Sequence, residues 1–218
     1  MASFESVLFK MARAKDHFEE LHRSVTAFYR SLEGEATLGE IPVNFGLIAG
    51  DCLQNMRSAL DYLVTELVEA NGNKPNTKHM FPIALTQDQY EQNVKQKLHG
   101  IHPRAEIYIN AVQPYLLEDP KRSALYALDE LTNLNKHRRP ILTQMAGTQD
   151  ELFTNFPHLR AIVTREDPRT KIIEKIPLKV WIGFQEPPAD RFEVTLTLHG
   201  IANHIGQEIL PLFKQFLS

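Results

Sequence analysis

Apolar residues near the start of the chain recur at spacings of three, four and seven positions. These residues are Phe4, Leu8, Met11, Phe18, Leu21, Val25, Phe28 and Leu32. Because an α-helix turns once every 3.6 residues, this spacing places them on one face of a long amphipathic helix. A second long helix is predicted to run to about Ala70, where the glycine of "NGN" at 71–73 supplies a stop signal.

The later part of the chain changes from helical to strand-like patterns. Shorter helices are predicted at about 86–98, at 104–113 and from Lys121 to Pro140. The segments "LRAIVTR", "KIIEKIPLKVWIGF" and "RFEVTLTLH" are rich in β-branched residues, and the last of them alternates between apolar and polar residues. This composition predicts three strands of a half-buried antiparallel meander. A final amphipathic helix follows, which Pro211 must kink or break.

Together these patterns predict an α+β fold that is mainly α. We expect a long-helix bundle with a small antiparallel β meander and a closing C-terminal helix. A single domain is expected over 1–218, divided into a helical bundle (1–140), a meander (158–199) and a closing helix (200–218). Two domains are the alternative, with the turn-rich segment from Gly147 to Pro157 as the boundary.

Composition limits the classes of partner. The formal net charge of −3 gives no overall attraction to phosphate backbones, so contact with nucleic acid would need a local patch. The only cysteine, Cys52, cannot form an internal disulfide, which fits a reducing compartment. The chain contains no apolar run of about 18 residues that spans a bilayer. We therefore expect a cytoplasmic protein with no membrane partner.

The second helix carries many polar residues in "GDCLQNMRSALDYLV". At about 100° per residue, Asp51, Asn55 and Tyr62 share a polar face that lies opposite the leucines. Arg57 and Asp61 lie on one flank of the helix and can form an ordinary intrahelical pair. Taken alone, this arrangement is typical of a solvated helix face.

The fifth helix places polar side chains where core residues are expected. In "LYALDELTNLNKHRRP", Asn135 follows Leu128 by seven residues and Arg138 follows Leu131 by seven, so both continue the apolar face. A buried amide or guanidinium is costly unless it finds partners, and Asp51 and Asp61 are available. The interpretations are a structural polar network, a frayed helix end, or a ligand-binding pocket between helices two and five. The pocket would be lined by Asp51, Asn55, Arg57, Asp61, Asn135 and Arg138.

A family resemblance rests on the same residues. "GDCLQNMRSALDYL", followed by "LNKHR", resembles an uncharacterised family of bacterial proteins with a GD-x-x-x-N-x-RSALD-x-L helix and a later LN-x-x-KHR-like element. That family is in turn similar to HEPN domains, which are helical bundles that bind nucleotides or cleave RNA. In catalytic HEPN proteins the arginine and histidine of an R-x(4–6)-H motif converge, usually across a homodimer. Arg57 matches that arginine, but Tyr62 stands at the histidine position.

The resemblance implies a bacterial protein with RNA or a nucleotide as a partner and homodimerisation as a further expectation. The first hypothesis is a binding module for a nucleotide, RNA or protein partner. The second is a metal-independent ribonuclease that uses Arg57 with His137, since no arginine has a histidine five to seven positions on. Tyr62 is a weak substitute for the histidine of the motif, because tyrosine is a poor base at neutral pH. The third is a purely structural polar cluster.

We expect no metal or other cofactor, because Glu19 and His22 form a lone E-x-x-H pair and no phosphate-binding glycine loop occurs.

Overall fold

The computed structural model describes residues 3–31, 41–137, 141, 143–148, 160–166, 173–185, 187–190 and 192–217. Residues 136–137, 144–148, 160–166 and 173–180 within this set are described by their backbone.

The two predicted long helices are confirmed as an antiparallel pair. They are α1 (Glu5–Ser31) and α2 (Asn44–Ala70), each of 27 residues, which corresponds to about 40 Å of helix. At one end Ser6 Oγ donates to Glu66 Oε1 at 2.5 Å, and at the other the rings of Phe28 and Phe45 meet edge to face. The pairing of residues early in α1 with residues late in α2 shows that the helices run in opposite directions.

Helix α2 is the central element of the fold. At about 100° per residue, Ala59, Leu60 and Val68 span about half of the helix circumference, yet all three are inaccessible to solvent. A helix that is buried over so wide an arc must be covered by several neighbours. The contacts of α2 with α1, α5 and α6 supply that cover.

Three shorter helices follow α2, as the sequence predicts. They are α3 (Gln87–Lys97), α4 (Pro103–Ala111) and α5 (Ala124–His137). Thr86 caps α3, because its side chain accepts a hydrogen bond from Gln89 N at 3.2 Å. Helix α5 starts later than predicted, because Pro120–Arg122 forms a separate 3₁₀ turn. The predicted end of this helix at 138–140 lies outside the described residues.

The sheet has three antiparallel strands in the order β1-β3-β2. Its strands are β1 (Thr143–Thr148), β2 (Arg160–Glu166) and β3 (Ile173–Phe184). The predicted strands at 159–165 and 171–184 are confirmed as β2 and β3. Strand β1 was not predicted, and Gly147, which was assigned to a turn-rich boundary, pairs with Val180.

The predicted third strand, "RFEVTLTLH", is wrong. Most of it forms helix α6 (Val194–Asn203), which begins after the cap residue Glu193. The helical spacing of Val194, Leu198 and Ile201 places all three in the core, whereas Phe192 remains 62% exposed. The alternation in the sequence was therefore accidental. The sheet ends at Phe184, whereas the predicted meander extends to 199, and the closing helical segment starts at 194 rather than at 200.

The end of the chain confirms the predicted effect of Pro211. After α6 the backbone forms a π-helix (His204–Ile209) and then a 3₁₀ helix (Leu210–Phe213) that contains this proline. Buried apolar residues from all six α-helices and from β3 belong to one core. The expected fold class, mainly α with a small antiparallel sheet, is confirmed, but the strand order β1-β3-β2 differs from the consecutive order of the predicted meander. Within the described part of the chain, no helix is both long and apolar enough to cross a membrane.

Candidate functional site

Arg57 lies inside the protein rather than on an open helix flank. Its residue surface is 6% exposed. Its Nη2 donates to the carbonyl oxygen of Phe81 at 2.9 Å and lies 3.4 Å from Asp61 Oδ1. Its Nε lies 3.8 Å from Asp129 Oδ1 on α5. The guanidinium therefore joins α2 to α5 and to the segment that precedes α3.

Arg57 and Asp61 together hold the peptide groups on both sides of Phe81. While Arg57 donates to the Phe81 carbonyl, Asp61 Oδ1 accepts a hydrogen bond from Phe81 N at 2.9 Å. The two side chains reach the same residue because positions four apart lie on one side of a helix. Phe81 itself is fully buried, so its polar backbone groups need partners inside the protein.

A second side chain serves the residues that follow Phe81. Gln113 Nε2 donates to the Pro82 carbonyl at 3.0 Å, and its Oε1 accepts from Ala84 N at 3.1 Å. Residues 79–84 have no strand assignment, so side chains from other elements replace the hydrogen bonds of a sheet. Arg57, Asp61 and Gln113 therefore share a structural role, because together they hold the backbone of this segment in place.

Helix α5 packs antiparallel to α2. Arg57 contacts Asp129, whereas Asn135, later in α5, lies against Gly50, earlier in α2. A Cβ atom on Gly50 would lie 2.8 Å from Asn135 Nδ2, so the glycine allows this close approach. The interface therefore has an ion pair at one level and a close contact between Asn135 and Gly50 at another, about 10 Å away along α2.

Lys97, the last residue of α3, lies within electrostatic range of the same groups. Burial lowers the pKa of Lys97, and the Arg57 guanidinium lowers it further, while Asp129 and Asp61 oppose the shift. We call Arg57, Asp61, Lys97 and Asp129 the Arg57 cluster. It combines two cations with two carboxylates.

One donor of the Arg57 cluster is without an acceptor. Among the residues that the structure describes, Arg57 Nη1 is buried and has no hydrogen-bond partner. Most buried donors are paired, so such an atom needs an explanation. The side chains of Asp61 and Asp129 are 21% and 29% exposed, so the cluster opens to solvent beside its carboxylates.

The predicted pocket residues do not form one group. Asp51 is exposed, and Asn55 is oriented toward α1, where its Oδ1 accepts from Lys10 Nζ at 3.4 Å. Tyr62 is 42% exposed and lies under the same lysine, whose Nζ is 5.7 Å from the ring centre. Of the six predicted ligand-binding residues, the structure joins Arg57 and Asp61 directly.

Asn135 and His137 belong to the other end of α5. Asn135 contacts Gly50 rather than Arg57. His137 is the last residue of α5, eight residues or about 12 Å of helix axis beyond Asp129. Arg57 and the backbone of His137 therefore lie at different levels of the α2–α5 interface. Arg138 lies outside the described residues.

The sequence interpretation missed three members of this site. Asp129 follows Leu125 by four residues, and Leu125 is buried, so helical phase alone places Asp129 at the edge of the core face. Lys97 and the Phe81 backbone carried no such signal, because both approach Arg57 only after the chain has folded. No group of three or more His, Cys, Asp or Glu side chains that could hold a metal occurs among the described residues.

A concave surface lies between α3 and α4, away from the Arg57 cluster. It has a volume of about 480 Å³ and is lined by Asp88, Tyr90, Glu91, Gln92, Val94, Lys95 and Glu106. The side chains of Asp88, Glu91 and Lys95 are exposed, so they are already solvated. This groove contains none of the predicted site residues and none of the unpaired buried donors.

Comparison of the chain with protein-family models, curated proteins and solved structures finds no match. The resemblance to a bacterial family and to HEPN domains therefore stays a prediction.

Proposed function

We propose that the protein is a binding module that holds a nucleotide or a segment of RNA at the Arg57 cluster, between α2 and α5. The observation that carries the proposal is the buried Arg57 Nη1, a donor without an acceptor among the described residues. A bacterial cytoplasmic location and a homodimer belong to the same proposal.

A buried donor without an acceptor, such as Arg57 Nη1, lowers the stability of the folded protein. Leaving a buried polar group unpaired costs about 1–3 kcal/mol, and more for a charged group. A ligand that brings an acceptor oxygen to Arg57 Nη1 removes this cost and gains a charge-assisted hydrogen bond. The side chains of Asp61 and Asp129 beside Arg57 are partly exposed, so these two members of the cluster can meet a ligand from solvent. A planar guanidinium is also well suited to nucleic-acid groups.

Two alternatives remain as outcomes of the test. The purely structural interpretation is favoured by the contacts of Arg57 and Asp61 with Phe81, which are needed whether or not a ligand binds. The ribonuclease interpretation has less support, because Arg57 Nη2 is already bonded to a backbone carbonyl and His137 lies at another level of the interface. Catalysis by this pair needs both groups at the same phosphate.

Binding can be measured by titrating the protein with mixed-sequence single-stranded RNA and with the four nucleoside monophosphates. Arg57→Lys keeps the positive charge but removes Nη1, so we expect at least tenfold weaker binding. Arg13→Ala is the matched control, because the Arg13 side chain is 60% exposed and pairs only with a neighbouring residue on α1 in the contacts described. It should bind like the wild type.

The controls separate the three interpretations. Folding of each variant is checked by urea denaturation. A wild type that binds none of these probes, or a folded Arg57→Lys variant that binds equally well, would overturn the proposal. RNA that is cut by the wild type but not by His137→Ala would replace the binding module with a ribonuclease.

A further inference from the structure

We infer that the group held at Arg57 is the uncharged lactam edge of a nucleobase, a carbonyl next to an N–H, rather than a phosphate. This inference rests on the proposed function and names the part of the nucleotide that enters the site. It is drawn from the charges and the hydrogen-bonding groups of the Arg57 cluster.

The two carboxylates next to Arg57 disfavour a phosphate. Asp61 Oδ1 lies 3.4 Å from Arg57 Nη2, and Asp129 Oδ1 lies 3.8 Å from Arg57 Nε. A phosphate at Arg57 Nη1 would bring one or two further negative charges close to both carboxylates. Like charges repel strongly where water is largely excluded, and Arg57 itself is 6% exposed. A neutral group avoids this repulsion.

The hydrogen-bonding groups fit an edge that both accepts and donates. Arg57 Nη1 is a donor, and the Asp129 carboxylate lies beside the same guanidinium at 3.8 Å from Nε. Asp129 Oδ2 accepts from Asn133 Nδ2 at 3.3 Å, but a carboxylate has about four acceptor positions and can take another N–H. The side chain is also 29% exposed, so a ligand can reach it.

A lactam nucleobase presents the complementary pattern. Uracil and guanine each carry a carbonyl oxygen next to a ring N–H. The carbonyl would accept from Arg57 Nη1, and the N–H would donate to the Asp129 carboxylate. Arginine to a guanine carbonyl, and a carboxylate to a base N–H, are both established pairings of side chains with bases. The unpaired donor of Arg57 and the Asp129 carboxylate near the same guanidinium would then be used by one ligand.

The first experiment uses the wild-type protein and varies the ligand. Calorimetric titrations compare uridine and guanosine with 3-methyluridine and 1-methylguanosine. In these two nucleosides a methyl group replaces the hydrogen of the ring N–H. Ribose 5-phosphate and inorganic phosphate provide the phosphate without the base. We expect at least one of the two unmodified nucleosides to bind, its methylated form to bind at least tenfold more weakly, and neither phosphate compound to compete.

The second experiment varies the acceptor. Asp129→Asn should weaken nucleoside binding at least tenfold, because it removes the negative charge that receives the base N–H. Asp16→Asn is the control, since Asp16 is a 66% exposed carboxylate that also pairs with an arginine. It should leave binding unchanged. If Asp129→Asn does not fold, the methylated nucleosides on the wild type still decide the question.

The outcomes distinguish this inference from the proposed function. If nucleotides or RNA bind but neither nucleoside does, or if inorganic phosphate competes, the lactam inference is wrong and nucleotide binding stands. Equal affinity for the methylated and unmethylated nucleosides would also overturn it. If no nucleotide, nucleoside or RNA binds, the proposed function itself has failed.

Discussion

Arg57 Nη2 donates to the carbonyl oxygen of Phe81 at 2.9 Å, across 24 positions of the sequence. Asp61, one turn later on α2, receives the N–H of the same residue. These two bonds fix the segment before α3 against the central helix. Arg57 therefore contributes to stability, and any ligand at its Nη1 would use a side chain that is already held in place.

Replacing Arg57 by alanine should destabilise the protein strongly. The change removes the guanidinium beside Asp61 and Asp129 and leaves the buried Phe81 carbonyl without the Arg57 donor. Breaking a buried charge pair in this way typically costs about 3–5 kcal/mol. Urea denaturation measures the free energy of unfolding. The control Arg13→Ala affects an exposed pair and should change it by less than about 1 kcal/mol. Equal losses in the two variants would contradict the structural role of Arg57.

Gly50→Ala should also be destabilising, through overpacking between α2 and α5. The added Cβ would lie 2.8 Å from Asn135 Nδ2 and 3.0 Å from its Oδ1. Overpacking of this kind typically costs about 1–3 kcal/mol. Adding Asn135→Ala removes the atoms in conflict, so the double variant should recover much of the loss. Gly200→Ala in α6 meets no atom within 4 Å and is the control, with an expected gain of about 0.5–1 kcal/mol. A Gly50→Ala variant as stable as the wild type would contradict the close contact.

Stability should fall in alkaline solution partly because of Cys52. Burial raises the pKa of this thiol to about 12, and its Sγ donates to the Ala14 carbonyl at 3.2 Å. An unfolded thiol loses its proton near pH 8.5. Above that pH the unfolded state binds fewer protons than the folded state, so the free energy of unfolding decreases as pH rises toward 12.

This effect can be isolated with Cys52→Ala. Urea denaturation at pH 7, 9 and 10 should show a steeper loss of stability in the wild type than in the variant. Burial also raises the pKa values of Tyr29 and Tyr90, but both tyrosines are present in both proteins, so their contribution cancels. Parallel pH profiles would show that the thiol ionises equally in the folded and unfolded states.

Glu193→Ala should weaken the start of α6. The Glu193 carboxylate accepts from Leu196 N at 2.5 Å, so the variant leaves a helix N–H without its cap. Loss of an N-cap typically costs about 0.5–2 kcal/mol, measured as the free energy of unfolding. Glu193→Ser keeps a capping oxygen and should retain most of the stability. If serine and alanine are equally destabilising, the cap does not explain the position of this helix end.

Local sequence information was sufficient for the elements whose signals extend over many residues. The repeated apolar spacing of α1 and α2 predicts helices because it matches one helical periodicity over 27 residues in each. The break near Pro211 follows from the missing N–H of proline. Strands β2 and β3 were also predicted, since both are rich in β-branched residues.

Tertiary structure decided the elements and contacts whose local signals were short or absent. The alternation at 192–199 was compatible with a strand, but burial of Val194, Leu198 and Ile201 on one face selects a helix. Arg57 illustrates the same limit at the candidate site. Helical phase placed it on a flank of α2, and the sequence identified it as a residue of interest. Its burial, and its contacts with Phe81 and Asp129, arise only because distant segments pack over that flank, which no pattern within α2 encodes.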